Sequence, residues 1–593
     1  MTITRPGAHS VPMHRTGRAS TYDKAPVVRV GDRAECAVGW AEIAERLTQG
    51  APSIIVVDTY PGVRAADLDE LARHLGADLV VSSDDALLPE SAIDALVAGE
   101  LTDDPVFGRL SDRTLVELFD AAALRRLRDA ADAATGRVLV HGIGASFVVD
   151  GDVLVHADLP RRELTLRQQS GEIGNIGADN SADRPSAKYK RAFFLDWRLA
   201  DRHKREIWPR VDFVLDTVHA DHPKMVPTAS LFRGLTHTAT RPFRVVPWFE
   251  PAPWGGEWMK EVCDLPRDAV NYGWCFDCVP EENSLLLGFG DAVVEVPSAN
   301  LVFHCPVDLL GADVAERFGG EFPIRFDFLD TMGGGNLSLQ VHPLTSYIRE
   351  HFGLTFTQDE SYYMLDTDEG ATVYLGLRTG IDRAAMVDDL GRAQAGGPPF
   401  AAEDYVNQWP AARHDHFLIP AGTVHCSGAG AMVLEISATP YIFTFKLWDW
   451  DRLGLDGRPR PVHLAHGARN IQWQRDTAYA EAKLINHTTP LGEGDDWRAE
   501  RTGLHEAEFI DTHRHWFTGQ VDHDTAGGVN VLNLVQGEEI VVESPTLAFE
   551  PFVVHYAETF IVPAAVGRYT IRPHGSAVGT ECATIKAFVR LSS

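Results

Sequence analysis

Apolar runs alternate with amphipathic helical patterns over residues 51–235. Residues 53–58 read SIIVVD, a continuous apolar run typical of a strand buried in a parallel sheet. A helical pattern follows at 65–75, and the runs ADLVVSS and RVLVHG predict two further strands. Alternation of strands and helices predicts an α/β domain with a parallel sheet. Residues 1–50 are predicted to be an N-terminal tail that includes one short helical pattern, WAEIAERL.

The pattern changes at about residue 240. Short β-rich runs bounded by Gly, Pro, Asp and Asn continue to the end of the chain, as in sandwiches and barrels. Residues 382–412 interrupt them with two patterns that look helical, RAAMVDDLGRAQ and AAEDYVNQW. We therefore expect a mainly β domain over 240–450 with a helical insertion, and a second β domain over 451–593.

Composition and charge exclude several classes of protein. The 593 residues carry a formal net charge of −30, which disfavours nonspecific nucleic-acid binding. No apolar run reaches the length of about 18 residues that a membrane helix needs. The 7 cysteines are scattered, which indicates a reducing cytoplasm. The CxxC pair Cys275 and Cys278 has no second pair near it, so it does not predict a zinc ribbon.

Residues 160–210 are rich in cations within this acidic protein. A surface held by salt bridges is the ordinary interpretation, and binding of a phosphate or nucleotide is the alternative. The cationic residues considered are Arg161, Arg162, Arg167, Lys188, Lys190, Arg191, Arg198, Arg202, Lys204 and Arg205.

A glycine-rich turn follows the predicted strand RVLVHG. Gly142 and Gly144 give a partial nucleotide-loop signal, but there is no GxxxxGK[ST] motif. The region resembles, faintly, a phosphotransferase-like α/β domain that has lost its phosphate loop. We therefore expect that it is not an active kinase.

The second half contains a set of metal-binding residue types. In LSLQVHP, strand alternation places Gln340 and His342 on one face. Glu360 follows in QDESYYML, and HFLIPAGTVHCSG carries a P-x-G-x-x-H pattern that ends at His425. Nitrogen and oxygen ligands of this kind suit zinc or another divalent first-row metal, with positions left open for substrate.

These motifs occur in a family order. The runs WGG, FPIRFDFLD, LSLQVHP, IPAGTVH and VLEIS resemble class I (cupin-type) mannose-6-phosphate isomerases over about residues 245–593. The resemblance implies a tandem cupin (jelly-roll) fold, one metal ion per chain, and a sugar phosphate as substrate. It implies Gln340, His342, Glu360 and His425 as ligands of zinc or a similar divalent metal. It also implies Glu435 as an active-site glutamate and Ser338 as a residue that helps to hold the substrate phosphate.

The sequence departs from the family pattern at cationic positions. Gln358 and Asp327 stand where family members usually have lysine, and Lys446 is the nearest match to an active-site arginine. Lys keeps the charge of Arg but not its bidentate geometry. Arg325, two residues before Asp327 on the same strand face, and Lys446 are therefore the candidate phosphate partners, with Gln358 a further substrate-binding candidate. Glu435 and Lys446 are the candidate catalytic residues.

The segment after residue 500 is predicted to be a degenerate second cupin. Arg568 stands near the position that matches His425, and His513 and His515 share a strand face without a complete ligand set. Two alternatives to a mannose-6-phosphate isomerase stay open. One is a metal cupin enzyme that acts on a different or unphosphorylated sugar, which the missing lysines favour, and the other is a sugar sensor without enzymatic activity. The sequence does not fix the oligomeric state.

Overall fold

A computed structural model describes residues 20–590, except 439–442, 456, 458–459, 504 and 507. The first 19 residues of the predicted N-terminal tail lie outside this range. The described part of that segment is not a tail, because strand β1 (Val27–Gly31) pairs in parallel with a strand more than 250 residues later. The sequence pattern missed β1 because its partner is so distant along the chain.

Seven strands form the sheet of the N-terminal part. Five of them are parallel, as the alternation of strands and helices predicts, and an antiparallel pair extends one edge. The seven strands are β2 (Ala37–Val38), β3 (Ile54–Thr59), β4 (Leu79–Ser82), β5 (Val138–Gly142), β6 (Val153–Asp158), β7 (Phe213–Asp216) and β8 (Lys224–Pro227), in the order β2-β8-β7-β6-β3-β5-β4.

Eight α-helices accompany this sheet in the described residues. Their apolar faces and the central strands form the core, where Ile55, Val57 and Leu71 are fully buried. Burial of the central strands on both faces explains their continuous apolar runs. The helices are α1 (Gly39–Leu47), α2 (Ala65–Leu75), α3 (Glu90–Leu101), α4 (Ala121–Ala133), α5 (Arg161–Gln169), α6 (Pro185–Arg191), α7 (Trp197–Ile207) and α8 (Thr228–Thr238).

A connecting region follows, and part of it joins the N-terminal strand β1. A three-stranded sheet has the order β1-β11-β12. The strands here are β9 (Trp248–Glu250), β10 (Trp274–Cys278), β11 (Ser284–Phe289) and β12 (Ala292–Pro297), and the helices are α9 (Trp258–Val262), α10 (Ala299–His304), α11 (Pro306–Leu310) and α12 (Ala312–Phe318).

The next part of the chain forms two sheets. They have the orders β18-β15-β20-β13-β10-β9 and β17-β16-β19-β14-β21. The new strands are β13 (Arg325–Asp330), β14 (Leu339–Val341), β15 (Glu360–Thr367), β16 (Thr372–Leu377), β17 (Val406–Pro410), β18 (His416–Ile419), β19 (His425–Ser427), β20 (Ala431–Ser437) and β21 (Phe445–Trp448). Side chains from β15 in one sheet contact side chains from β19 in the other, so the sheets face each other across a buried interior.

The insertion predicted over 382–412 is only partly helical. Helix α14 (Arg383–Gln394) follows helix α13 (Thr345–Phe352) and matches the first pattern, but α15 (Ala402–Tyr405) has four residues. Residues 406–410 form β17, so the prediction of a second helix over AAEDYVNQW was wrong. Pairing of β17 with β16 outweighs the local helical pattern.

Two further sheets end the described chain, after α16 (Leu464–Asn470) and α17 (Thr477–Lys483). A shared apolar core lies between them. Their strands are β22 (Thr489–Glu493), β23 (Trp497–Arg501), β24 (Ile510–Phe517), β25 (Val521–Asp524), β26 (Asn530–Gln536), β27 (Glu539–Glu543), β28 (Phe552–His555), β29 (Thr559–Val562), β30 (Arg568–Pro573) and β31 (Cys582–Val589). In the part of the chain that the structure describes, no helix has the length and apolar character needed to cross a membrane.

Candidate metal centre

Three potential ligands of a metal ion meet between the facing sheets. Glu360 begins β15, His425 begins β19, and His342 directly follows β14. Glu360 Oε2 lies 3.1 Å from His342 Nε2, and Glu360 Oε1 lies 2.8 Å from His425 Nε2. All three side chains are buried, and among the described residues this is the one group of three or more His, Cys, Asp or Glu whose ligand atoms lie close enough to hold a metal.

The hydrogen bonds around the two histidines fit a metal ligand set. His342 Nδ1 lies 3.1 Å from the carbonyl of Phe443, and His425 Nδ1 lies 2.8 Å from the carbonyl of Thr423. A carbonyl acceptor fixes the proton on Nδ1 and leaves the Nε2 lone pair for a metal. His342 Nε2 and Glu360 Oε1 are buried, and apart from the close His–Glu pairs above they make no hydrogen bond to the described residues. A bound ion or water would satisfy buried polar atoms of this kind.

Gln340 lies at the edge of this group. Its side-chain nitrogen is 3.2 Å from His425 Nε2. The oxygen and nitrogen of an amide exchange places by rotation, so the same position can present the Gln340 oxygen to a metal. The structure thus brings together all four residues that the sequence motifs suggested.

A tight turn positions His425. Gly422 has φ +88°, a conformation that favours glycine, and its N–H donates to the carbonyl of His342 at a distance of 3.0 Å. A Cβ at this position would lie 2.6 Å from Gln472 and 2.8 Å from the carbonyl of Asn470. The P-x-G-x-x-H pattern therefore joins the two histidine ligands through one turn.

Two carboxyl groups lie beside the candidate ligands. Glu435 on β20 stands opposite Asp327 on β13, and both are buried. Burial and the charges of Asp327 and Glu360 hold the pKa of Glu435 well above its usual range. Burial also raises the pKa of Asp327 to about 6, although Arg325 opposes the shift with an ion pair at 2.8 Å.

Gln358, at the position where the resemblance implies lysine, contacts two carboxyl groups of the site. Its side-chain nitrogen donates to Glu360 Oε2 at 3.0 Å and to Glu435 Oε1 at 3.3 Å. The amide thus joins the candidate ligand Glu360 to the candidate catalytic glutamate. Gln358 is uncharged, so it does not supply the positive charge that a lysine would bring to this position.

A cationic cluster includes one residue that sequence reasoning missed. Arg460 donates to Ser338 Oγ at 3.1 Å and to Asp449 at 2.8 Å, and Ser338 Oγ donates to Asp449 at 2.9 Å. Lys446 is the cross-strand neighbour of Gln340. Burial and the charge of Arg460 lower the pKa of Lys446 to about 8. Arg460 lies in an irregular segment after β21, so no strand or helix pattern indicated it.

These residues line one cavity of about 420 Å³. Its wall includes Gln340 and Gln358 on the metal side, then Glu435 and Arg325, and the cluster of Ser338, Lys446 and Arg460. Pockets of this size, with a few convergent polar groups, are typical of small-molecule sites. The cavity joins the candidate catalytic and substrate-binding residues, and it reaches the candidate metal centre at Gln340.

The basic segment 160–210 is held mainly by internal partners. Lys204 pairs with buried Asp158 at 2.8 Å, and Arg191 pairs with Asp94 at 2.9 Å. Apart from Arg162, which lies over the Trp248 ring, each cation considered above donates to a carboxylate or a backbone carbonyl. The structure therefore favours the salt-bridged interpretation over a phosphate or nucleotide site.

The glycine-rich turn after β5 also has an internal partner. Ser146 donates through its N–H at 3.0 Å and its hydroxyl at 2.6 Å to Asp58 Oδ2, at the end of β3. His203 Nε2 lies 2.9 Å from the same oxygen. A carboxylate of the protein thus takes the donors that a nucleotide loop would offer to a phosphate.

The second pair of sheets has histidines but no complete ligand set. His515 and His523 are buried with ring centroids 4.5 Å apart, and burial lowers the pKa of His515 to about 3. Arg568 is exposed. Over the described residues, this part contains no group of three close ligands. The CxxC cysteines Cys275 and Cys278 are buried and not joined by a disulfide.

Comparison with known proteins gives two kinds of match. Residues 39–240 match a family described as a domain of unknown function (DUF8485). The chain is 29% identical over 218 residues to the mannose-6-phosphate isomerase of Streptococcus mutans serotype c, covering 36% of this chain and 61% of that protein. It is 30% identical over 247 residues to the mannose-6-phosphate isomerase ManA of Bacillus subtilis, covering 39% of this chain and 69% of that protein.

The chain belongs to the mannose-6-phosphate isomerase family. It spans between 61% and 69% of the length of these two relatives. A crystal structure of the mannose 6-phosphate isomerase from Bacillus subtilis is also similar, at 19% identity and a TM-score of 0.47, covering 58% of this chain and 99% of that chain. The 30% identity to ManA over 69% of its length confirms the family resemblance expected from the motifs, and the family is one of isomerases.

Proposed function

We propose that the chain is a metal-dependent aldose–ketose isomerase that interconverts mannose 6-phosphate and fructose 6-phosphate. The observation that carries the proposal is the buried group of His342, Glu360 and His425. Gln340, which contacts His425, and Glu435 line the adjoining cavity. Membership of the isomerase family supports it. Zinc, one ion per chain, is the proposed metal, held by these three residues and Gln340.

The metal would supply Lewis-acid polarisation of the sugar oxygens at C1 and C2. In its deprotonated form, Glu435 would remove the proton from C2 of mannose 6-phosphate and return it to C1, while a proton passes from O2 to O1. The aldehyde becomes a hydroxymethyl group and C2 becomes the ketone, so atoms and charges balance. Gln358 orients the Glu435 carboxylate through its hydrogen bond, and Arg325 faces the same carboxylate at 4.0 Å.

The phosphate of the substrate has a proposed site at the cationic cluster. Lys446, Arg460 and the hydroxyl of Ser338 line the cavity together. Arg325, the other candidate from the sequence, is the weaker choice because it already pairs with Asp327. Charge-assisted hydrogen bonds to phosphate are among the strongest polar contacts.

In the proposed domain organisation the α/β domain expected over 51–235 also takes in β2 and α1, and 240–450 and 451–593 are tandem cupins. The paired sheets of each cupin segment support it. The location proposed from the sequence is the cytoplasm, and the free, buried cysteines support it.

An experiment on metal and activity tests the proposal. After zinc loading, elemental analysis should find about one ion per chain, and the protein should convert mannose 6-phosphate. His425→Ala should lose both the ion and the turnover, because a ligand is removed. His487→Ala, which changes an exposed histidine outside the cavity, is the matched control. Zinc-loaded wild type without bound metal would contradict the proposal.

The same assay decides between the proposal and its alternative. Gln358 and Asp327 bring no positive charge where family members have lysine, and this favours an unphosphorylated sugar. A wild type that converts mannose in preference to mannose 6-phosphate would establish that alternative. Bound metal without turnover of any hexose, phosphorylated or free, would point to a sugar sensor.

A further inference from the structure

The N-terminal α/β part supplies the outer wall of the candidate active-site cavity. Thr165 and Gln169 on α5 and Ser186 and Tyr189 on α6 line it, although they lie within the domain of unknown function. A neighbouring cavity of about 270 Å³ shares these four residues and continues the space outward. The cations of the 160–210 segment do not line either cavity, so this wall is uncharged.

Aromatic rings form another side of the same space. Trp274 and Phe276 on β10 stack with centroids 5.7 Å apart and planes 9° apart. Trp254 lies edge-on to Trp274 at 5.2 Å, and all three rings line the cavity. The C–H groups on the face of a sugar ring pack well against the negative face of an aromatic ring. Arg325 lies over the Phe276 ring at 5.8 Å, so the Trp274 side of this surface, beside the uncharged polar groups, is the part that suits an uncharged sugar ring.

Two carboxyl groups complete this outer end. Glu250 and Glu282 line the cavity, and Glu282 is only 4% exposed. Tyr189 donates to Glu282 Oε1 at 2.9 Å, which joins the α/β part to the second half of the chain. Burial raises the pKa of Glu282 to about 7 and also raises that of Glu250. In either protonation state these groups form hydrogen bonds with sugar hydroxyls, and the charged form repels a phosphate.

Two polar side chains of the outer wall are exposed, and a third, buried one has no partner. Among described residues, the Thr165 hydroxyl has no hydrogen-bond partner although it is buried. Gln169 and Ser186 are exposed at the mouth of the cavity. Hydroxyl and amide groups both donate and accept, which matches the mixed hydrogen bonding of sugar hydroxyls.

We propose that the outer end of the cavity is a second sugar subsite, which binds an uncharged ring linked to the sugar at the metal centre. The chain would therefore bind reducing disaccharides in addition to single hexoses. This proposal rests on the proposed function, because the free reducing end is placed at the candidate metal centre. It gives the domain of unknown function a role as part of the substrate site.

Tryptophan fluorescence of the zinc-loaded full chain tests the subsite, since Trp254 and Trp274 line it. The probes are mannose and β-1,4-mannobiose, and mannobiose should bind at least about tenfold more tightly, as one or two added hydrogen bonds to charged groups provide. Glu282→Gln, which keeps the shape but removes the charge, and Gln169→Ala should each weaken mannobiose binding by several-fold more than mannose binding.

The matched control is Gln394→Ala. Gln169 and Gln394 are both exposed glutamines at the last position of a helix, and Gln394 does not line the cavity. Its mannobiose affinity should equal that of the wild type. Equal affinity of the wild type for mannose and mannobiose, or equal losses on both sugars in Glu282→Gln and Gln169→Ala, would overturn the proposal.

The binding assay separates this proposal from the isomerase function. It needs no turnover, so tight mannobiose binding without any isomerisation supports the subsite while the proposed reaction fails. Isomerisation of mannose 6-phosphate without preferential mannobiose binding would support the proposed reaction and reject the subsite.

Discussion

Substitution of Lys446 by methionine tests the proposed phosphate site. Methionine has a similar length and no charge. Among the described residues, no hydrogen bond or ion pair holds the Lys446 ammonium group, which lies in the field of Arg460. The substitution therefore breaks no hydrogen bond or ion pair among the described residues. It removes the repulsion from Arg460 together with the weaker attraction to Asp449. Its effect should fall on the bound ligand.

The size of the effect follows from the contact that is lost. A charge-assisted hydrogen bond to phosphate contributes about 1.5–3 kcal/mol. At about 1.4 kcal/mol per decade, Lys446→Met should lower kcat/KM for mannose 6-phosphate by about ten- to a hundredfold. The kcat/KM for mannose should change little, because mannose has no group at this position. Both sugars are measured side by side on the zinc-loaded protein.

Arg325→Ala is compared with Lys446→Met, because it should affect both sugars. Arg325 is buried and pairs with Asp327 at 2.8 Å, so its removal leaves a buried carboxylate without its partner. Such a loss costs about 3–5 kcal/mol of stability and should reduce turnover of both sugars alike. If Lys446→Met also reduced turnover of both sugars by equal factors, Lys446 would serve folding or chemistry, and the phosphate site would be refuted.

Three further predictions concern stability, the turn and the N-terminal part. Burial lowers the pKa of His416 to about 3, against about 6.5 in an unfolded chain, so the unfolded state binds the proton first as pH falls. Because of this residue, the free energy of unfolding should fall by about 2 kcal/mol between pH 7 and pH 5. Urea titrations should show a smaller fall in His416→Phe, and equal falls in the two proteins would contradict this. Gly422→Ala should lower the zinc occupancy found by elemental analysis, because its Cβ meets Asn470. Gly370→Ala is the control, since Gly370 has φ +84° but open space around it, and it should keep the ion. Equal zinc occupancy in both variants would refute the argument. The full chain with ATP and magnesium should transfer no phosphoryl group to hexoses, since Ser146 already binds Asp58, and labelled sugar phosphate would show otherwise.

The candidate metal centre was predictable because its signals are local. Alternation along a strand has a period of two, so Gln340 and His342 had to share a face. The turn at Gly422 is written in the sequence as Pro, Gly and His at fixed spacing. The parallel strands β3 and β5 were predictable for the same reason, because burial on both faces requires a continuous apolar run.

The rest of the cavity was not predictable, because its contacts are distant along the chain. Tyr189 and Glu282 lie 93 residues apart, and no periodic pattern connects them. Arg460 reaches Ser338 across 122 residues from a segment without regular structure. Strand β17 was not predictable for the same reason. Its pairing with the strand β16 outweighs the local helical pattern of its sequence.

The charges along the cavity favour one orientation of a bound sugar phosphate. The net charge of −30 says nothing about this site, because three cations, Arg325, Lys446 and Arg460, line it. Glu250 and Glu282 stand with the uncharged outer wall. A sugar phosphate placed with its phosphate among the carboxylates would be repelled, and one with its phosphate at Lys446 and Arg460 would be attracted. The reducing end is then left to the histidines and Glu435, where proton transfer needs it.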